Sequence, residues 1–470
     1  MIAAGSFAAC LLASTGGNSS AVAFPNQLNY ASLVAPYNLN LLTTPAAIVF
    51  PQNATQVAAA VKCAVDAGIK VQAKSGGHNY GNYGSSTGEL SVNLENLQHF
   101  SMDDTTWTAN FGPGNHLGQV TELMYNNGKR QAPHGETFDV GLGGHATVGG
   151  AGAASRQLGL LVDYIEEVEV VLANSSIVKA SRSENQDLFF AVRGAGSSFG
   201  IVTDFTIRTV PAPSSTIRYT YVWKKPSVSS QVHIFTTWQQ LLADGLIPRQ
   251  MSYALVVTAS SMVMSGVYFG SETEFASLNL TSYFVTPPQV VQTNAYTSFL
   301  EVSKSLDAAV TSAGIATPSH FYAKSLVFTE ETLISEKTAY RFFNYLANTN
   351  NGTDLYAITL NGLGGAVSDI SSTDSAYPHR DTLFFMFSFA RTSGISTSTS
   401  VDFLNGLSKV AKSGNPGAYY GQYAGNVDTR ESTMEALSAY YGQNLGRLKL
   451  IKKAVDPTDI FHNQQSIPVS

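Results

Sequence analysis

Three glycine clusters dominate this 470-residue chain: Ser75-Gly-Gly-His78-Asn-Tyr80-Gly, GLGGHATVGGAGAASRQLGL over 141–160, and Arg193-Gly-Ala-Gly-Ser-Ser-Phe-Gly200. Glycine costs a helix interior about 1 kcal/mol relative to alanine, so these stretches do not propagate helix. They suit places where backbone must approach another group closely, with N–H groups free to hold an anion such as a pyrophosphate. One such turn is commonplace. Three of them in one chain describe a cradle for an extended, phosphate-bearing ligand. The GxGxxG fingerprint between strand and helix is absent, so nicotinamide binding of that type is not expected.

The segment around the first cluster reads as an α/β unit. Ala46–Phe50 is a short apolar strand ended by Pro51, and Asn53 or Thr55 can cap a helix over Gln56–Ala67. Val57, Ala60, Val61 and Val65 share a face of that helix, Gly68 ends it, and Val71–Lys74 reads as the next strand. Further strands are expected at Leu90–Leu94, Trp107–Phe111, Val168–Leu172 and Ile201–Thr206, with helices at Leu117–Asn127 and Asn185–Val192. After Pro211-Ala-Pro213 the pattern shifts to alternating strands such as Arg218–Trp223, Ser252–Thr258, Met262–Phe269 and Leu383–Phe389. Helices near Gln231–Leu242 and Glu331–Ala347 lie between them, and Thr433–Lys453 reads as one long helix. The fold class is α+β: residues 1–210 form a ligand-binding domain, 211–424 an antiparallel sheet with helices on one face, and 425–470 a segment returning to the first domain.

A net charge of −6 with scattered lysines and arginines argues against a nucleic-acid or anionic-membrane partner, and no apolar run approaches a membrane span. No metal ligand set is expected, and a monomer is. The two cysteines, Cys10 and Cys63, could be buried thiols; five sequons, at Asn18, Asn53, Asn174, Asn279 and Asn351, favour the secretory route and a Cys10–Cys63 disulfide. The opening MIAAGSFAACLLAS has no basic n-region, so it is a poor leader as written and fits a mature start better.

The motifs SGGHNYG (75–81), HGETFDVGLGGH (134–145), Glu184–Gly194, Phe199–Val202, Tyr377-Pro-His-Arg380, Tyr441-Gly-Gln-Asn-Leu and Asp456–Phe461 resemble the berberine-bridge-enzyme-like branch of the vanillyl-alcohol-oxidase flavoproteins, which contains the fungal oligosaccharide oxidases. The resemblance runs over nearly the whole chain. It implies an FAD domain built from both chain ends, with a substrate domain inserted between them. It places the covalent flavin bond on His78. A second cysteinyl link in many relatives maps to Thr137, so one bond only is expected. Val140 maps to a position where a small β-branched residue accompanies reoxidation by dioxygen. Other flavin contacts implied are Ser75, Gly76, Gly77 and Asn79; Gly143, Gly144, His145, Gly149 and Gly150; Gly200, Ile201 and Val202; and Gln422.

Hydride transfer from an alcohol carbon requires a group to take the hydroxyl proton, and a tyrosine with a lowered pKa can serve. The segment Tyr419-Tyr-Gly-Gln422-Tyr423 resembles the family's Tyr-x-Asn-Tyr strand, which makes Tyr423 the base and Tyr80 its helper. Asn361 falls where the oligosaccharide oxidases carry an acidic residue that polarises this tyrosine, and Thr359 where sugar oxidases carry glutamine. The expected function is a secreted FAD oxidase of a carbohydrate or another hydroxylated compound, releasing hydrogen peroxide. The alternative is a secondary-metabolite oxidase or oxidative cyclase on an aromatic or polyketide-like substrate, or a dehydrogenase with another acceptor.

Overall fold

The computed structural model describes residues 4–314 and 316–470; the first three residues of the apolar N-terminal stretch lie outside it. The α/β unit forms a four-stranded sheet. Ala47–Val49, Leu90–Asn93 and Val71–Lys74 run parallel, and Val22–Ala23 pairs antiparallel on the edge. Asn53 is the cap: its Oδ1 accepts the Gln56 N–H at 3.0 Å, which starts the helix at Ala54, two residues earlier than its polar pattern suggests. Gly68, at φ 69°, ends it. Val57, Ala60, Val61 and Ala64 are buried beneath it. Cys63 on this helix forms a disulfide with Cys10 on the N-terminal helix Ala4–Ser14, so the two helices pack as one piece.

A five-stranded antiparallel sheet follows, in the order Phe100–Met102, Thr108–Phe111, Ile201–Arg208, Ile165–Val171, Ile177–Ser181. The helices Leu117–Asn126 and Gln186–Ala195 contribute Leu117, Val120, Phe189 and Val192 to its core. Gly194, at φ 140°, kinks the second helix where a Cβ would lie 2.5 Å from the Tyr377 nitrogen. The 141–152 cluster contains one short helix, Leu142–Ala146, and is otherwise irregular.

The third sheet has seven antiparallel strands, in the order Val290–Tyr296, Thr216–Lys224, Ser261–Tyr268, Ala254–Val257, Leu355–Gly362, Phe384–Thr392, His320–Phe328. Alternation divides its faces. Phe384, Met386, Phe328 and Ile358 pack with the helices Val228–Ala243, Glu336–Asn348 and Ser398–Lys412 in the largest core, where Trp238 stacks on Tyr253 at 5.3 Å. Phe385 and Phe387 face the other way, as does Asn361 opposite Phe385. Helices on one face leave the opposite face for the site.

The C-terminal helix is broken. Gly442, at φ 46°, separates Thr433–Tyr441 from Leu445–Val455, because a left-handed residue cannot continue a right-handed helix. Both pieces pack into the core of the five-stranded sheet through Leu437, Leu448 and Ile451. The fully buried Lys452 ammonium donates to the Asp456 carboxylate and to the Ser198 and Phe461 carbonyls. The Val71 N–H then donates to the Ile460 carbonyl, so the chain's end rejoins the first sheet. The buried Arg156 guanidinium ties the glycine-rich segment to the seven-stranded unit by donating to the Met251, Ile247 and Leu363 carbonyls. Among the described residues no helix is long and apolar enough to cross a membrane.

Candidate active site and cofactor cradle

A cavity of about 440 Å³ lies between the glycine-rich segments and the free face of the seven-stranded sheet. The first two glycine clusters meet on one side of it. A Cβ on Gly141 would lie 2.1 Å from the Gly76 nitrogen and from Ser75 Oγ, and one on Gly76 would lie 2.4 Å from the Gly141 nitrogen. Only two glycines can make that contact. Gly144, by contrast, faces open space. The backbone here is packed tightly behind and open in front, which is what an extended dinucleotide requires.

Ser75, Gly76, Gly77, His78, Asn79 and Tyr80 line the cavity from one segment; Thr137, Val140, Gly144 and His145 line it from the other. Ser75 Oγ donates to the Pro113 carbonyl at 2.6 Å, and Asn79 Oδ1 accepts the Gly81 N–H at 2.9 Å, so both side chains hold the turn that presents His78. The His78 ring packs on Tyr37 at 4.4 Å, and its Nε2 lies 3.2 Å from Asp139 Oδ2. His145 Nε2 accepts the Gly135 N–H at 2.8 Å, and burial pushes its imidazole down to about 3, so it is a neutral acceptor that pins the 134–145 loop.

The remaining expected flavin contacts do not line the cavity. Gly200 packs where a Cβ would lie 2.5 Å from Val170 Cγ1, and Ile201 and Val202 are buried between sheet and helices. This junction packs within the five-stranded sheet, and the same cluster reaches the cavity through Ser197. Gly143 backs onto Pro113, its N–H donating to the Pro113 carbonyl at 3.1 Å. Gln422 is buried and turned away, donating to Glu431 Oε1 at 2.7 Å. Gly149 and Gly150 lie beneath Tyr423 instead.

Tyr423, Tyr80 and Asn361 all line the cavity. The residues expected to form the Tyr423 strand are an extended connection laid along the edge strand His320–Phe328. Val327 N–H donates to the Gly421 carbonyl, and Tyr423 N–H donates to Ser325 Oγ at 3.1 Å, so a side chain replaces the next ladder bond. The Gly150 N–H donates to the Tyr423 hydroxyl at 3.2 Å. Burial raises the Tyr423 pKa, while the Gly150 and Ala151 amides oppose that rise by stabilising negative charge on its oxygen. Tyr80 is also raised by burial, and the Asn426 side chain opposes this through a hydrogen bond. Gly149, at φ 136°, gives Tyr423 room: a Cβ there would lie 3.0 Å from the Tyr423 ring.

An FAD binding domain family model matches residues 45–181, and one described as berberine and berberine like matches residues 422–468. The chain is 66% identical over 468 residues to the FAD-linked oxidoreductase sorD of Penicillium rubens, covering 100% of this chain and 99% of that one. The chain belongs to the berberine-bridge-enzyme-like FAD-linked oxidases. The solved xylooligosaccharide oxidase of Myceliophthora thermophila, in complex with xylobiose, superposes with a TM-score of 0.89 at 31% identity, over 98% of this chain and 99% of that one. The glucooligosaccharide oxidase of Acremonium strictum, described with a 6-S-cysteinyl, 8α-N1-histidyl FAD, does so with a TM-score of 0.88 at 28% identity, over 98% and 99%. The two-domain oxidase fold and the FAD cofactor follow, and the chain is an FAD-linked oxidoreductase.

Within this family fold, the residues that sequence reasoning passed over are Tyr37, Asp139, Phe385, Phe387 and Asn426. Asp139 stands inside the HGETFDVGLGGH motif, and the phenylalanines alternate visibly along their strand; neither signal says what the side chain will face.

Proposed function

We propose that this oxidase holds FAD covalently through His78 alone and oxidises a flat, hydroxylated, aromatic or conjugated compound, with dioxygen returning the electrons as hydrogen peroxide. When bound, FAD supplies a two-electron acceptor for the hydride. Thr137 has no sulfur to offer, and both cysteines are joined to each other and absent from the cavity lining, which supports a single attachment. Tyr423 takes the hydroxyl proton. The observation that carries this role is the Gly150 N–H on its oxygen, reinforced by Ala151, since both amides stabilise negative charge there.

Part of the cavity lining is aromatic. Tyr37, Tyr80, Phe385 and Phe387 line it beside the amides of Asn361 and Asn426, and Tyr80 packs on Phe321 at 5.0 Å and Phe387 at 6.1 Å. Among the described lining residues there is no carboxylate or arginine; Lys74 is the one lysine. A sugar exposes several hydroxyls, each needing a partner when buried, whereas a planar conjugated molecule needs chiefly stacking surface. Carbohydrate is the second reading, favoured by the oligosaccharide oxidases among the family neighbours.

Anaerobic mixing with two panels, oligosaccharides and hydroxylated aromatic or polyketide-like compounds, separates the readings. Bleaching by the second panel, with peroxide on readmission of air, is expected; bleaching by oligosaccharides alone would reverse the assignment. The disulfide and the exposed sequons at Asn18, Asn53, Asn174 and Asn279 support a secreted, glycosylated protein.

A further inference from the structure

We propose that Asp139 is the positioning residue for flavin attachment: its carboxylate takes the Nε2–H of His78 and so turns the Nδ1 lone pair into the nucleophile that bonds the flavin. This rests on the reading that His78 carries the cofactor. A carboxylate can only accept, so at 3.2 Å the Nε2 of His78 must carry the proton. In the neutral imidazole that leaves Nδ1 unprotonated, while Tyr37 packed on the ring at 4.4 Å limits its rotation. The pair is mutual, since hydrogen bonding to His78 holds the Asp139 carboxyl below its usual range.

Asp139 is fixed from behind. The Leu117 and Gly118 N–H groups, at the start of helix Leu117–Asn126, donate to the Val140 and Phe138 carbonyls on either side of it, at 2.9 and 3.0 Å. The Phe138 N–H donates to Asp307 Oδ1 at 2.8 Å. The Gly76–Gly141 contact clamps this loop to the turn carrying His78. The two glycine segments therefore do more than admit a dinucleotide: they set the distance between carboxylate and imidazole.

The attachment balances as follows. One C–H bond of the flavin 8α carbon breaks and a C–N bond to Nδ1 forms. The imidazole gives up its Nε2 proton through Asp139, whose half-exposed side chain passes it to solvent. The two electrons left on the ring go to dioxygen, which becomes hydrogen peroxide with two protons.

The test compares the holoenzyme with Asp139→Ala, Asp139→Asn and Asp139→Glu, measuring total flavin by absorbance and attached flavin by intact mass after acid precipitation. Because Asp139 is 61% exposed, its replacement leaves no buried hole. Total flavin should persist in all variants. The attached fraction should fall about tenfold or more in Asp139→Ala, less in Asp139→Asn, whose carbonyl still accepts the Nε2–H hydrogen bond but cannot take up the proton, and recover in Asp139→Glu. An unchanged attached fraction in Asp139→Ala overturns the proposal. So does parallel loss of total flavin in all three variants, which would make Asp139 a general binding residue. Wild-type protein that releases its flavin in acid would instead refute the His78 linkage itself.

Discussion

Replacing Tyr423 by phenylalanine removes one oxygen and keeps the ring that packs near Phe385 at 6.2 Å and Tyr377 at 6.3 Å. Two effects follow, and they separate. The first is kinetic: loss of a general base typically slows the chemical step by about 10²–10⁴, or roughly 3–5 kcal/mol in the barrier. The second is structural: the Gly150 amide, 3.2 Å from the hydroxyl, loses its acceptor. An unpaired buried N–H costs about 1–3 kcal/mol, and here the low end applies because the site opens onto a cavity that water can enter. Anaerobic stopped-flow reduction across pH measures the first effect, and urea unfolding the second. Burial holds Tyr423 above its ordinary value, so the protonated form dominates at neutral pH, and reduction of the wild type should quicken with rising pH, without a plateau below about pH 10. Tyr423→Phe should be slow and flat with pH. Reduction within about threefold of wild type, or the same climb with pH, would move the base elsewhere.

Three further outcomes are expected. Gly141→Ala places a Cβ 2.1 Å from the Gly76 backbone, so overpacking should cost about 1–3 kcal/mol in urea unfolding and lower the flavin content of purified protein. Converting Cys10 and Cys63 to serine frees a 53-residue separation in the unfolded chain, which the loop-entropy relation values at about 4 kcal/mol; no change in unfolding midpoint would show that the crosslink constrains nothing. His379, buried at 4% exposure and pushed down to about 4, stays neutral while the unfolded chain protonates near 6.5. Stability should therefore fall as pH drops from about 6.5 towards 4, by up to about 1.4 kcal/mol per unit from this residue, and His379→Gln should make that slope shallower.

Local signals in the sequence translated well into structure where the physics is local. Asn53 caps, Gly68 terminates, and the cysteines on two apolar helices meet. The first two glycine clusters form the cradle because close backbone approach excludes every other residue. What stayed hidden depends on tertiary arrangement. Alternation along Phe384–Thr392 reveals two apolar faces but not which one the helices cover, so Phe385 and Phe387 could not be assigned to the cavity from pattern alone. The third glycine cluster reaches the cavity through Ser197 while its Gly200 packs against Val170, and Gln422, adjacent to Tyr423, alternates away towards Glu431. Gly442 breaks a helix whose apolar pattern runs straight through it. The meeting of Asp139 with His78 requires two distant loops to be clamped, which no local rule anticipates.

The bond between protein and cofactor can be read in one step: denature the purified enzyme in acid, digest it, and weigh the peptide that contains His78. That peptide should carry the FAD mass, with the modification on the imidazole Nδ1. A bare peptide, with the yellow colour left in the supernatant, would contradict the attachment on which the site's chemistry is built.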